Sequence, residues 1–258
     1  MKVMSVTGLA TSSSQRGMNY ATSTVKHAIW AFGAILTFGL SSCNTETETP
    51  SPNPTFTTEF NKGADSWTTG LVDYNEQQEG IMEFSSKIAA LPTDTTKKAY
   101  MIQSHNRSDD AFMYLTRKYT GLTPNQTYKI NFEVELASKY PQNSVGIGGS
   151  PGGAVYLKAG ASGTEPQRSK DNTGQWKLNW DKGAQSEGGK EAVLLGTIGI
   201  EGSDDTKYQL IKRTNSQTAF TAKTNDKGEL WLLVGTDSGF EGLTTLYYTQ
   251  IKASLTKQ

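Results

Sequence analysis

Along residues 128–136, Tyr128, Ile130, Phe132, Val134 and Leu136 alternate with Lys129, Asn131, Glu133 and Glu135. A pleated strand turns successive side chains to opposite faces, so this pattern predicts a half-buried strand. The turn signal Leu122-Thr123-Pro124-Asn125 precedes it. Residues 100–103 and 112–119 read the same way. Residues 230–234 (LWLLV) form an unbroken apolar run of strand length, which predicts a central strand covered on both faces. Across 244–255 the alternation predicts Thr245, Tyr247, Thr249, Ile251, Ala253 and Leu255 facing inward. Glycine punctuates these runs, and no segment keeps a helical period over three turns. Residues 186–195 admit at most a short helix. The pattern predicts an all-β fold, an antiparallel β-sandwich of jelly-roll type.

The N-terminal stretch reads differently. Lys26 and His27 precede an uncharged apolar run over residues 28–40, and Leu40-Ser41-Ser42-Cys43 follows. This resembles a bacterial lipobox, with a basic region, an apolar region and small residues before the cysteine. The run is shorter than the ~20 residues a spanning helix needs. The resemblance implies a signal peptide over 1–42, removed by cleavage, and Met18 would start a complete leader of its own. It also implies a lipidated Cys43, with the membrane as partner and the bacterial envelope, outer membrane or cell surface, as location. Acyl chains contribute roughly 0.8 kcal/mol per buried methylene to such anchoring. Residues 43–55 carry Pro50, Pro52 and Pro54 and almost nothing apolar, so they read as an extended tether. The remainder, 56–258, is expected to form one sandwich domain.

Charge narrows the partners. The 25 basic and 25 acidic residues balance, and loss of Lys2, Arg16 and Lys26 with the leader leaves a mildly acidic chain. Nucleic acid is therefore not an expected partner. Cys43 is the single cysteine, so no disulfide is expected and folding relies on packing.

Two motifs resemble galactose-binding-like jelly rolls, a group that includes many carbohydrate-binding modules. One is Phe60-Asn61-Lys62-Gly63-Ala64-Asp65-Ser66-Trp67, and the other is Leu122-Thr123-Pro124-Asn125-Gln126-Thr127-Tyr128. The stretches 108–113, 145–162 and 230–242 resemble a family of uncharacterised secreted bacterial proteins. The resemblance implies a glycan-binding role and a structural calcium. Such modules often close with a Tyr-Asp pair at that calcium, where this chain has Tyr248-Thr249.

Candidate chemistry is sparse. Gly148-Gly149-Ser150-Pro151-Gly152 matches a nucleophile elbow in letters, yet strand-forming residues follow it and His105 lies upstream. Asp237-Ser238-Gly239 resembles a protease nucleophile loop but lacks the sequence such enzymes place around their histidine. One histidine in the mature chain disfavours zinc and two-histidine metal sites, so no cofactor is expected. A structural calcium, which takes oxygen ligands alone, stays open, although Thr249 stands where the resemblance would put its aspartate. Asp109-Asp110, Asp204-Asp205 and Asp237 with Glu241 could supply those oxygens. Glu133 and Glu135 project to one side of a strand, roughly 7 Å apart, the most glycosidase-like pair present.

A binding site is easier to draw. Sugars pack on flat aromatic faces and take hydrogen bonds from fork-like polar groups. Trp176 and Trp180, in a polar stretch, either offer such a platform or cap the core. Trp67 and Trp231 sit in strand patterns and are expected in the core. The 146–153 glycine loop exposes backbone N–H groups. Lys158 and Arg107 could add donors, and Asp181, Asp237 and Glu241 acceptors. These features predict a non-catalytic, lipid-anchored glycan-binding module. Two alternatives stay open, a structural or protein-interaction lipoprotein and a polysaccharide hydrolase or lyase.

Overall fold

The alternating segments form fifteen strands, and no α-helix occurs among the described residues. The computed structural model describes residues 51–258 apart from Ser108 and Ser203. The leader, Cys43 and the tether before Ser51 lie outside the described residues. In chain order the strands are β1 (Thr55–Glu59), β2 (Thr68–Val72), β3 (Tyr74–Asn75), β4 (Ser85–Leu91) and β5 (Asp94–His105). Next come β6 (Ala111–Tyr119), β7 (Thr127–Ser138), β8 (Val155–Ser162), β9 (Arg168–Lys170) and β10 (Gln175–Leu178). The last are β11 (Ala192–Thr197), β12 (Gln209–Thr214), β13 (Thr221–Lys223), β14 (Leu230–Ser238) and β15 (Leu243–Lys257).

Two antiparallel sheets pack face to face. The larger runs β12-β7-β15-β5-β4, with β1 added along β15 and β13 along β7. The smaller runs β11-β8-β14-β6-β2. The chain crosses between them from β1 to β2, from β2 by way of β3 to β4, and then from β5 to β6, β6 to β7, β7 to β8, β11 to β12, β13 to β14 and β14 to β15. That is the path of a jelly roll. Residues 186–195 contain no helix: a turn leads into β11, whose apolar residues suit a pleat.

The predicted alternation holds in β7, where Tyr128, Ile130, Phe132, Val134 and Leu136 are all at most 1% exposed. They meet Leu115, Leu157, Leu232 and Val234 of the facing sheet in the main core. Leu232 and Val234 point into this core, while Leu233 on the other face of β14 is also buried. The two motifs build their expected corners. Phe60 and Trp67 meet edge-on at 6.3 Å between ring centroids. Asn125 takes φ +53° in the turn that delivers Tyr128, whose hydroxyl accepts from the Thr123 amide.

The last strand departs from the sequence pattern. Thr244, Leu246 and Tyr248 face inward, followed by Ile251, Ala253 and Leu255. A register shift between Tyr248 and Gln250 leaves Thr249 as an extra residue opposite β7. A bulge reverses the alternation, because one added residue sends every later side chain to the opposite face. Thr245 and Tyr247, expected inward, therefore point out. Thr249 Oγ1 donates to the Glu135 carbonyl oxygen at 3.1 Å and to Glu135 Oε1 at 2.8 Å.

A third, small sheet, β3-β10-β9, joins two strands of the long connection between β8 and β11 to β3, the short strand that follows β2. It folds back over the outer face of the five-stranded sheet. Leu178 and Trp180 from this connection pack on Val72, Phe112, Tyr114 and Leu233 in a second apolar cluster. The outer face is thus covered at one end and open at the other.

Candidate functional site

Four of the predicted residues gather at the covered end. Trp180 is 5% exposed, and its Nε1 donates to the Thr164 carbonyl at 3.1 Å. It caps the second cluster and presents no free face. Lys158 and Asp237 project from neighbouring strands and meet at 2.9 Å with both side chains fully buried. Lys158 Nζ also donates to the carbonyls of Lys182 at 3.0 Å and Ala184 at 2.7 Å. One ammonium therefore ties the sheet to the loop above it. Asp181 accepts the amides of Gly183 and Lys190, which hold its carboxyl below the usual range, and it shapes that loop.

Around this pair lies a chain of charges. Lys182 Nζ reaches Asp237 at 2.7 Å and Asp73 at 3.0 Å, and Lys177 reaches Asp73 at 3.0 Å. Asp73 holds φ +64° at the sharp corner between β2 and β3. Burial pushes the Asp237 carboxyl up, but Lys182 and Lys158 outweigh it and hold the group below its ordinary value. Burial, together with the hydrogen bond and charge of Asp237, pushes Asp110 up to about 7. A small cavity of about 270 Å³ opens beside Asp73, Asp110, Trp180 and Lys182. Lys182 supplies the positive charge that these carboxylates need. Among the described residues, no group of three or more His, Cys, Asp or Glu side chains is placed to hold a metal ion.

The other predicted residues lie elsewhere. Arg107 bonds Glu83 at 3.0 Å, beside His105, whose Nδ1 lies 3.0 Å from the same carboxylate. Glu241 is half-buried against the glycine loop, its amide donating to the Ile147 carbonyl at 2.8 Å. Gly148 has φ +71°, and a Cβ there would strike the Gly239 carbonyl, so this packing requires glycine. The loop thrusts Val145 and Ile147 into solvent, 97% and 72% exposed.

Trp176 lies on β10, half-buried, and one ring face is taken by Arg168, whose Cζ is 3.8 Å from the centroid. Arg168 Nη2 donates to Tyr74 Oη at 3.3 Å and to Glu79 Oε1 at 3.1 Å. Trp176 therefore positions an arginine.

The open part of the outer face is a groove of about 620 Å³ that the sequence did not single out. Tyr114, Thr116 and Lys118 of β6 line it with Trp231 of β14, Thr68 of β2, and Glu165 and Arg168 of the connection. Trp231 was expected in the core. The structure instead turns it outward and leaves it half-buried, because Leu230, Leu232 and Val234 occupy the inward positions of that strand. The signal was present: period two around an inward Leu232 sends Trp231 to the other face. Lys118 stands directly across from Trp231, its Nζ 5.7 Å from the ring centroid. Tyr114 lies across Gly70, where a Cβ would collide with the phenol end of the ring. Burial pushes the Tyr114 hydroxyl up, opposed by the Arg168 charge.

The sequence decoys resolve into structural roles. Ser150 Oγ donates to the Gln142 carbonyl and accepts the Gly153 amide inside a turn. Ser238 Oγ donates to the Phe240 carbonyl at 2.9 Å. Glu133 pairs with Lys212 at 3.4 Å, and Glu135 accepts from Thr249.

No protein-family model and no curated protein matches the chain. Several solved structures are similar to it at low identity. The family 11 carbohydrate-binding module of cellulase Lic26A-Cel5E of Clostridium thermocellum is 11% identical, over 80% of this chain and 95% of that one, with TM-score 0.37. The carbohydrate-binding module TmCBM27, solved for specific mannan recognition, is 10% identical over 81% of this chain and 99% of that one, also at 0.37. The enzymatically active domain of bacteriophage CBA120 tailspike protein 4 is 10% identical over 75% of this chain, with TM-score 0.32. This chain spans 20% of that tailspike domain's length.

Proposed function

We propose that this protein is a non-catalytic glycan-binding module, anchored at the bacterial envelope through lipid on Cys43, and that the open groove is its site. The observation that carries the reading is the pairing of Trp231 and Tyr114 with hydroxyl and charged side chains in one groove. An aromatic face supports the C–H side of a sugar ring, and Thr68, Thr116, Lys118, Glu165 and Arg168 supply hydrogen-bonding groups for its hydroxyls. The described chain enters along the far end of β15, where Lys257 donates its amide to the Pro52 carbonyl. The anchor itself rests on the sequence of residues 26–43.

A glycan array followed by tryptophan fluorescence titration tests the site. Binding should fall by about tenfold or more for Trp231→Ala, a loss of ~1.4 kcal/mol or more. Trp180→Phe should leave it intact. Equal binding by the Trp231 variant would remove the groove from consideration. A protein-interaction lipoprotein is the second reading, favoured by the exposed Val145 and Ile147. Capture of an envelope protein that depends on these two residues would support it.

A further inference from the structure

We infer that the glycan taken by this groove is anionic, its acid group meeting Arg168 and Lys118; this rests on the reading of the groove as a glycan site. Arg168 is a pre-set donor. Its planar group is stacked on Trp176, and its Nη2 is bound to Tyr74 and Glu79, so its position is fixed before any ligand arrives. A guanidinium carries five N–H donors. Those on Nε and Nη1 take no protein acceptor among the described residues, and the side chain is 32% exposed at the groove. Fixing an arginine in advance removes the ordering cost of its flexible side chain on binding.

The second cation is placed differently. Lys118 stands over Trp231, so a sugar ring packed on that indole would carry its substituents past the ammonium. Glu229 holds Lys118 at 3.0 Å and is not among the groove-lining residues, so the lysine is oriented without a counter-charge inside the groove. Glu79, the partner of Arg168, likewise does not line it. Among the described lining residues, Glu165 alone is anionic, against Arg168 and Lys118. An acid group on the sugar would meet charge-assisted hydrogen bonds from two sides. A neutral glycan would leave the fixed Arg168 donors facing only hydroxyls. Carboxylate of a uronic acid and sulfate ester share this chemistry.

The test is calorimetric titration of the purified chain with three probes: oligogalacturonate, its neutral methyl ester, and a sulfated oligogalactan. The inference expects an acidic probe to bind about tenfold or more tightly than the methyl ester, with the preference shrinking in high salt. Preference for oligogalacturonate assigns a carboxylate, and preference for the sulfated probe assigns a sulfate. Arg168→Met and, separately, the exposed Lys118→Gln should each lower acidic binding by a larger factor than methyl-ester binding, so that the preference for the acidic probe shrinks. Lys118→Gln guards against a folding defect in the Arg168 variant. Equal affinity for the acidic and neutral probes would overturn the inference and leave the glycan reading standing. No binding to any probe, nor to any neutral glycan on an array, would overturn both.

Discussion

Lys182 places its ammonium 2.7 Å from the carboxylate of Asp237, an aspartate with no solvent exposure. The same ammonium reaches Asp73, so one lysine from the β8–β11 connection holds two acids that belong to the five-stranded sheet and its corner. This contact ties the connection to the sheet beneath it.

Removing that lysine should be costly. Lys182→Met removes an ammonium that Asp237 shares with Lys158 and Asp73 shares with Lys177. Breaking a buried ion pair by deleting one partner destabilises by about 3–5 kcal/mol. Urea unfolding should show a loss in that range, and a loss below about 1 kcal/mol would mean the network is not what holds the connection down.

Asp110 should set a pH dependence. In the folded protein its carboxyl is pushed up to about 7, by burial first and then by Asp237, against an ordinary value of 3.8. Between these values the native state holds a proton that the unfolded chain has released, so this group's contribution to stability falls as pH rises from 4 to 7. Asp110→Asn keeps a donor toward Asp237 without that proton. Thermal melts from pH 4 to 8 should show a flatter profile for the variant, with its relative gain largest above pH 7. Parallel profiles for variant and parent would refute the assignment.

Removing the Tyr248 hydroxyl should raise stability. Its side chain is fully buried and its hydroxyl has no hydrogen-bond partner among the described residues. Burial pushes that hydroxyl far above its ordinary range. Tyr248→Phe removes an unsatisfied polar atom at nearly constant shape, so stability should rise by roughly 1 kcal/mol. A loss of similar size, measured by denaturant unfolding, would show that the hydroxyl is satisfied in solution.

Gly70 shapes the groove floor. A methyl there displaces the Tyr114 ring, and such overpacking costs about 1–3 kcal/mol. Gly70→Ala should lower the melting temperature and weaken glycan binding together. Unchanged binding would show that the Tyr114 ring takes no part in the site.

The strands and their inward faces were legible in residues such as Tyr128, Ile130 and Phe132, because a period of two is a local property of the pleat. The two corner motifs were legible for the same reason: Phe60 with Trp67, and Leu122 with Tyr128, act within a few residues of each other. The bulge at Thr249 was not, since only pairing with β7 shows that one residue is surplus.

The candidate site divides along the same line. Local sequence context directed attention to Trp176 and Trp180 in a polar stretch and to Lys158 and Asp237 beside a glycine-rich loop. Which of them faces a ligand depends on what the β8–β11 connection covers. That connection buries Trp180 and covers the Lys158–Asp237 pair, while leaving Trp231 half-open. Local sequence thus determined a chain of alternating strands with aromatic and charged residues to spare. Packing of a long connection onto one sheet face, a contact between residues far apart in the chain, decided which of those residues meet solvent.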